Sequence, residues 1–381
     1  MQKSLKLNLF YYWLFLSIST PFVASADQCI DLLSTPQTSQ LSENRLSWSR
    51  KVKDTVPVVI GRTKALAVDK ALDVIGYMKG LPRYLKRMNA LIESEGYLGY
   101  RDVGEMGVAE IGFSVRVNQH KLQALNTERP LIIIANHPLG IADGLSLQYL
   151  ASLVRQNSPA LLMLARWIEK LLPNAVFGDE RGWGTAVPVD ISKPDPSDPL
   201  YESQVSKIKA FNSQWSRTTL RALKSERASV IVFPAGQVAG MNVENESYPN
   251  NIQDAQGSWQ NGLLNLAKLG KADIVFAHID SVNSKAFYKY RKVFGGGDKE
   301  RVVWFFSEAL AKKDKSIDVY LSDPLSLSSV YQTLSQAFGV PEAELKDDDK
   351  LATELMRRLT HDLNTHFPQD LDHTESPRKI E

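Results

Sequence analysis

Apolar positions recur along this chain with two different periods, and the switching between them predicts the fold. From Lys64 to Ser94, Ala67, Leu72, Ile75, Met78, Leu81, Leu85, Met88 and Leu91 return mostly every three or four positions, which predicts amphipathic helices interrupted near Pro82. Residues 111–117 alternate, which predicts a strand. Leu131-Ile132-Ile133-Ile134 is a run of four aliphatics between Pro130 and Asn136-His137-Pro138, so it predicts a strand buried on both faces that stops at Asn136 or His137. Leu147, Leu150, Ala151 and Val154 then fall at helical spacing, with Asp143 placed ahead of them as a cap.

Further on, the apolar residues 159–172 around Trp167 predict a helix, and residues 186–190 predict a short strand. Residues 193–199 hold three prolines and two aspartates and predict a loop. Ser203 to Lys224 reads as a helix, and Ser229 to Phe233 as a second buried strand closed by Pro234-Ala235-Gly236. A helix through Leu263–Leu269, closed by Gly270, precedes a third buried strand over 272–279. Residues 302–306 and 317–321 predict further strands. Beyond Pro324 the chain is charged and helical, with Leu351, Leu355, Leu359 and Leu363 spaced by four. Buried strands alternating with helices predict an α/β fold, a mixed, mostly parallel central sheet flanked by helices and preceded by an N-terminal helical segment.

Composition narrows the function classes. The chain has 381 residues, 43% hydrophobic and 23% charged, enough for a sizeable core. Its 45 basic and 43 acidic residues leave a formal charge of +2, so no overall field points to nucleic acid. Cys29 is the only cysteine, which excludes an internal disulfide and a multi-cysteine metal site. Gly295-Gly296-Gly297 lacks the strand and helix that would frame a dinucleotide fingerprint, and no P-loop or Gly-x-Ser-x-Gly pattern is present. His361 and His366 are five apart and share no helix face, so neither a metal nor another cofactor is expected.

The first residues carry a further instruction. Lys3 and Lys6, a largely apolar stretch from Leu7 to Ile18, and Ala24-Ser25-Ala26 follow the order of a secretory signal peptide. Tyr11, Tyr12 and Trp13 equally suit an uncleaved anchor at a membrane interface. The expected organisation is a signal peptide or anchor over 1–26, a linker over 27–63, a main domain over 64–322 and a charged helical extension over 323–381. The basic helix carrying Lys79, Arg83, Lys86 and Arg87 suits either an anionic membrane surface or ordinary packing on the sheet.

The candidate chemistry lies where the first buried strand ends. His137 sits at that end, and Asp143 follows at the start of the next helix. A neutral imidazole takes a proton from a hydroxyl or amine, while a carboxylate on its other nitrogen sets the tautomer and stabilises the imidazolium. His278 alternates onto one face of its strand and reads as a core or rim histidine.

Asn136-His137-Pro138, followed by Asp143-Gly144 and then by residues 232–238, Val-Phe-Pro-Ala-Gly-Gln-Val, resembles the glycerolipid acyltransferase superfamily, the lysophospholipid acyltransferase-like proteins. The likeness is to the hemolysin-like and ornithine-lipid-synthesising branch, and it runs from roughly residue 65 to 320. Five residues separate His137 from Asp143, the form that branch uses where the common signature has four. The resemblance implies a glycerol-3-phosphate acyltransferase-like fold, with His137 as general base and Asp143 orienting it. It also implies substrate binding by Asn136, Gly140, Phe233, Pro234, Ala235 and Gly236, with no cofactor. The implied donor is acyl-CoA or an acyl-carrier protein, and the acceptor a hydroxyl or amine of a membrane lipid.

Ala235 stands where the commoner pattern has Glu, and Gln237 and Val238 replace its polar pair, which argues against a lysophosphatidate acceptor. Asn283-Ser284 and Phe287-Tyr288 resemble the branch's continuation. The implied location is a membrane surface, on the exported side by the leader and on the cytoplasmic face by the donor. The alternative is a catalytically idle lipid-binding protein of the same fold. A secreted hydrolase would need a nucleophilic serine on an elbow, and the chain has none.

Overall fold

Leu131–Ala135 is buried along its whole length, and the architecture can be built outward from it. The computed structural model describes residues 100–166, 178–179, 182–183, 186–192, 194–241, 252–253, 259, 262–285, 287–288, 308, 312, 315–366 and 368–374. The first half comprises α1 (Tyr100–Ile111), β1 (Ser114–Val117), α2 (Gln119–Ala124), β2 (Leu131–Ala135), α3 (Ile141–Val154), β3 (Ala160–Ala165) and β4 (Ala186–Val189). The second comprises α4 (Tyr201–Glu226), β5 (Ser229–Val232), α5 (Gly262–Gly270), β6 (Asp273–Asp280) and β7 (Ser316–Leu321). Four helices follow, α6 (Leu327–Phe338), α7 (Glu342–Asp347), α8 (Asp349–His361) and α9 (Leu363–His366), and then β8 (Asp372–His373).

These eight strands form one sheet in the order β8-β1-β7-β6-β2-β5-β3-β4. The run β6-β2-β5-β3-β4 is parallel throughout. On the other side, β7 is antiparallel to β6, β1 is parallel to β7, and β8 is antiparallel to β1. The fold is therefore α/β with a mixed, mostly parallel sheet.

Successive side chains of a strand point to opposite faces, and both faces are covered here. Leu131, Ile133 and Ala135 join a core shared with α1 and α3. Ile132 and Ile134 join a second core built with α4, α5, α6 and α8. Burial on both sides is why the run carries no polar position, and each fully buried isoleucine contributes roughly 1.5–3 kcal/mol.

Several elements depart from the pattern reading. Ala160–Ala165 is a parallel strand between β5 and β4, where a helix over 159–172 was expected. An unbroken apolar run has no period, and only its pairing partners decide. The alternation expected from Ile111 begins at Ser114, because Ile111 ends α1 and Gly112 turns the chain at φ 79°. Helix α1 was not expected. A Cβ on its Gly104 would lie 2.5 Å from the Tyr149 nitrogen, so α1 and α3 cross too closely for a side chain there. Pro188 is accommodated because β4 is an edge strand.

The charged helices beyond Pro324 are present and belong to the core. Val330, Leu334, Leu345, Leu355, Met356, Leu359 and Leu363 are buried in the second cluster, and β8 extends the sheet. Residues beyond 323 thus share one core with the strands before them. The expected leader, linker and helices over 1–94, Gly295–Gly297 and the strand over 302–306 lie outside the described residues. Among the described residues no helix is long and apolar enough to cross a membrane.

At the amino edge of the sheet, Arg155 closes α3. Its guanidinium donates to the carbonyls of Leu125, Thr127, Arg129 and Arg227, and the side chain is buried. Those carbonyls belong to the α2–β2 connection and to the turn before β5.

Candidate active site

The site grows from the carboxyl end of β2, where the chain is held by both neighbouring strands. The Asn136 carboxamide grips the Ile279 backbone of β6: Nδ2 donates to the carbonyl at 3.0 Å, and Oδ1 accepts from the amide at 2.7 Å. Asn136, which the resemblance implies in substrate binding, extends the β2–β6 ladder through its side chain and anchors the end of β2. On the other side, the His137 carbonyl accepts from the Ala239 amide at 2.7 Å, just past the turn that follows β5. The Pro138 carbonyl accepts from Asn283 Nδ2 at 3.1 Å and from the Tyr288 hydroxyl at 3.3 Å.

Asp143 lies inside the first turn of α3 instead of ahead of the helix, because Gly140 is the N-cap. Gly140 holds φ 78° and ψ −119°, a backbone region that glycine enters at little cost. That turn lets Asp143 Oδ2 reach back to the Leu139 amide at 2.8 Å and the Gly140 amide at 3.0 Å. The same oxygen is 2.9 Å from His137 Nδ1. An ionised carboxylate only accepts, so Nδ1 carries the proton and Nε2 is the basic position.

The Asp143 side chain is 0% exposed and that of His137 17%, so the imidazole alone reaches the surface. Among the described residues Asp143 Oδ1 has no hydrogen-bond partner. Burial pushes the Asp143 carboxyl above its ordinary range, opposed by the bond to His137 and by the Leu139 and Gly140 amides.

The second motif reaches the first through an aromatic ring. Phe233 follows β5 and stacks on His137, with centroids 4.0 Å apart and planes at 14°. The turn closes through the Gly236 amide on the Phe233 carbonyl at 2.9 Å. Phe233, Pro234 and Ala235 are buried, and Gly236 is half-buried. Of the four residues of this turn expected to bind substrate, Phe233 stacks on His137, Pro234 and Ala235 pack inward, and Gly236 is half-buried. Gly140 serves Asp143 through its amide. Ala235 belongs to the second core, where a glutamate would bury a charge.

Pattern reading left Asn283 and Tyr288 without a role and passed over Glu308 and Lys312. Glu308 accepts from the Ser284 amide at 2.8 Å and from its hydroxyl, and Lys312 donates to the Val282 carbonyl. Only the family likeness marked the first two, and no spacing signal marked the others. His278 packs beside Tyr320 and His361, away from this cluster. Among the described residues no group of three or more His, Cys, Asp or Glu side chains is arranged to hold a metal. A groove of about 610 Å³ with Arg129, Lys224, Arg227 and Lys271 in its walls lies at the amino ends of β2, β5 and β6, on the edge away from His137.

Fold and site together define an α/β protein with a histidine–carboxylate pair at the carboxyl edge of its sheet, the edge where open α/β sheets bind ligands. No protein-family model matches the chain, and no curated protein matches it.

Proposed function

We propose that the protein is an acyltransferase that moves a fatty acyl group from an acyl thioester, of CoA or an acyl-carrier protein, to a hydroxyl or amine of a membrane lipid. The observation that carries this reading is the 2.9 Å bond between His137 Nδ1 and Asp143 Oδ2, with Nε2 left as the base. Nε2 takes the proton of the acceptor O–H or N–H, and the freed oxygen or nitrogen attacks the thioester carbonyl. The tetrahedral intermediate collapses with cleavage of the C–S bond, and the departing thiolate takes the proton from the His137 imidazolium. Asp143 stabilises that imidazolium throughout.

The oxyanion needs donors. The Leu139, Gly140 and Gly236 amides already serve Asp143 and Phe233 and Ala142 is fully buried, which leaves the first-turn amide of the half-buried Ile141 as the helix-start donor. The bland turn around Ala235 fits an acceptor without a phosphate to grip.

The experiment is incubation of the purified full chain with labelled acyl-CoA or acyl-carrier protein and a membrane lipid extract. Labelled lipid should form with the native chain and fall by at least about a hundredfold with His137→Ala. Lipid retained without product would identify the idle lipid-binding alternative, and near-normal turnover by His137→Ala would remove the base assignment.

A further inference from the structure

The groove at the amino edge of the sheet, on the side away from His137, has no part in the chemistry above. Five cations stand in its walls, Arg129, Lys224, Arg227, Lys268 and Lys271, against one carboxylate, Glu128. Pro130, Leu223 and Leu327 give it an apolar lining. Arg227 pairs with Glu128, and Arg129 pairs with Asp273 at 3.1 Å and donates to the Lys271 carbonyl at 3.1 Å. Lys224, Lys268 and Lys271 are exposed, and among the described residues they make no ion pair. Like charges gathered in this way repel, and an anion held between them relieves the repulsion.

Part of the charge has a local reason. Lys224 and Lys268 lie in the last turns of α4 and α5, where a cation offsets the negative end of a helix. That reason does not extend to the residues just past those ends. Arg227 follows α4 and Lys271 follows α5, each with a left-handed backbone, φ 52° and 50°, and among the described residues they are the non-glycine positions that adopt it. Glycine is the usual residue at such a position, because a Cβ is strained there. Two helices thus end at one groove, and each carries a long cation where glycine would cost less. The buried Arg155 guanidinium adds a further positive charge from inside the fold, donating to the Arg129 and Arg227 carbonyls.

We propose that this groove is a second binding site, for a phosphate-bearing anion. Its volume of about 610 Å³ lies within the range of about 300–1,000 Å³ that small-molecule sites occupy. Lys224, Lys268 and Lys271 donate to the phosphate oxygens through charge-assisted hydrogen bonds, and Leu223 and Leu327 pack against the rest of the ligand. A free oligophosphate and the headgroup of an anionic lipid share this chemistry.

The test uses the purified full chain at about 0.15 M salt, where weak surface attraction is screened. Inorganic tripolyphosphate is titrated by calorimetry, and flotation is measured with phosphatidylcholine vesicles with and without phosphatidylglycerol. Tripolyphosphate binding identifies a free phosphate compound, and flotation that requires phosphatidylglycerol identifies a lipid headgroup. The double variant Lys224→Gln with Lys271→Gly should weaken whichever binding the native chain shows by at least about tenfold. Lys271→Gly alone should weaken it while melting at or above the native temperature, because glycine relieves the left-handed backbone. Lys207→Gln removes the same charge about 25 Å away along α4 and should bind as the native chain does. Binding of neither probe, equal binding by the double variant, or an equal loss in Lys207→Gln overturns the proposal. No readout uses acyl transfer, so failure of the acyltransferase reading leaves this result standing.

Discussion

The Phe233 ring lies flat on the His137 imidazole, with centroids 4.0 Å apart and planes 14° from parallel. A ring placed this way limits rotation of the base about its side-chain bonds and shields one of its faces from water. Phe233→Leu keeps an apolar side chain but removes the stack, worth about 0.5–1.5 kcal/mol. Acyl transfer should fall about tenfold, chiefly in kcat, with a melting temperature a few degrees lower. A loss confined to KM would mean that Phe233 acts on substrate instead.

Asp143 combines complete burial with a carboxyl raised by that burial. A carboxyl whose folded value exceeds its unfolded one gives stability that is fully present below the unfolded value, about pH 4, and is lost as pH rises through the folded value. Asp143→Asn retains an oxygen for the Leu139 and Gly140 amides and removes the buried charge. Its melting temperature should equal or exceed the native one at pH 7, and the difference should shrink toward pH 4. Transfer should nevertheless fall by about 10²–10⁴, because the imidazolium loses its counter-charge. Melting curves across pH together with a single-point activity assay check both halves.

Arg155 should behave in the opposite way, supporting stability with no part in chemistry. Its guanidinium serves four carbonyls at the amino edge of the sheet. Arg155→Met fills the space but strands those acceptors, and a cost of about 3 kcal/mol or more is expected in chemical denaturation. At a temperature where the variant remains folded, turnover should match that of the native chain.

On α8, the Glu354 carboxyl is held at about 2 by Arg357, with Arg358 adding to the effect. The stabilising contribution is present above the unfolded value and disappears as pH falls through about 2. Solvent reaches this group, so Glu354→Gln should cost less than about 1 kcal/mol at pH 7. That cost should vanish on acid titration followed by circular dichroism.

The legibility of these features in the sequence tracks where their partners lie. Leu131–Ala135 and Asp273–Asp280 were expected as buried strands because burial on both faces writes itself as unbroken apolar runs. The same property made Ala160–Ala165 look helical, since an unbroken run has no period. Helix α1 buries Val103, Met106 and Val108 in the first core, but the two glycines that let it approach α3, Gly104 and Gly107, weaken its helical pattern. His137 and Asp143 were legible as a pair because they are six positions apart on one turn. The anchoring role of Asn136 depends on Ile279, 143 positions away, and nothing near Asn136 encodes it.

That division between near and far has a mechanical side. His137 and Asp143 lie together on one short turn, while Phe233, Ala239, Asn283 and Tyr288 arrive from remote parts of the chain. A mutation in one of those remote loops can therefore displace the turn that carries the pair without touching either residue. The pair is written locally, and its placement is shared with two distant stretches of the chain.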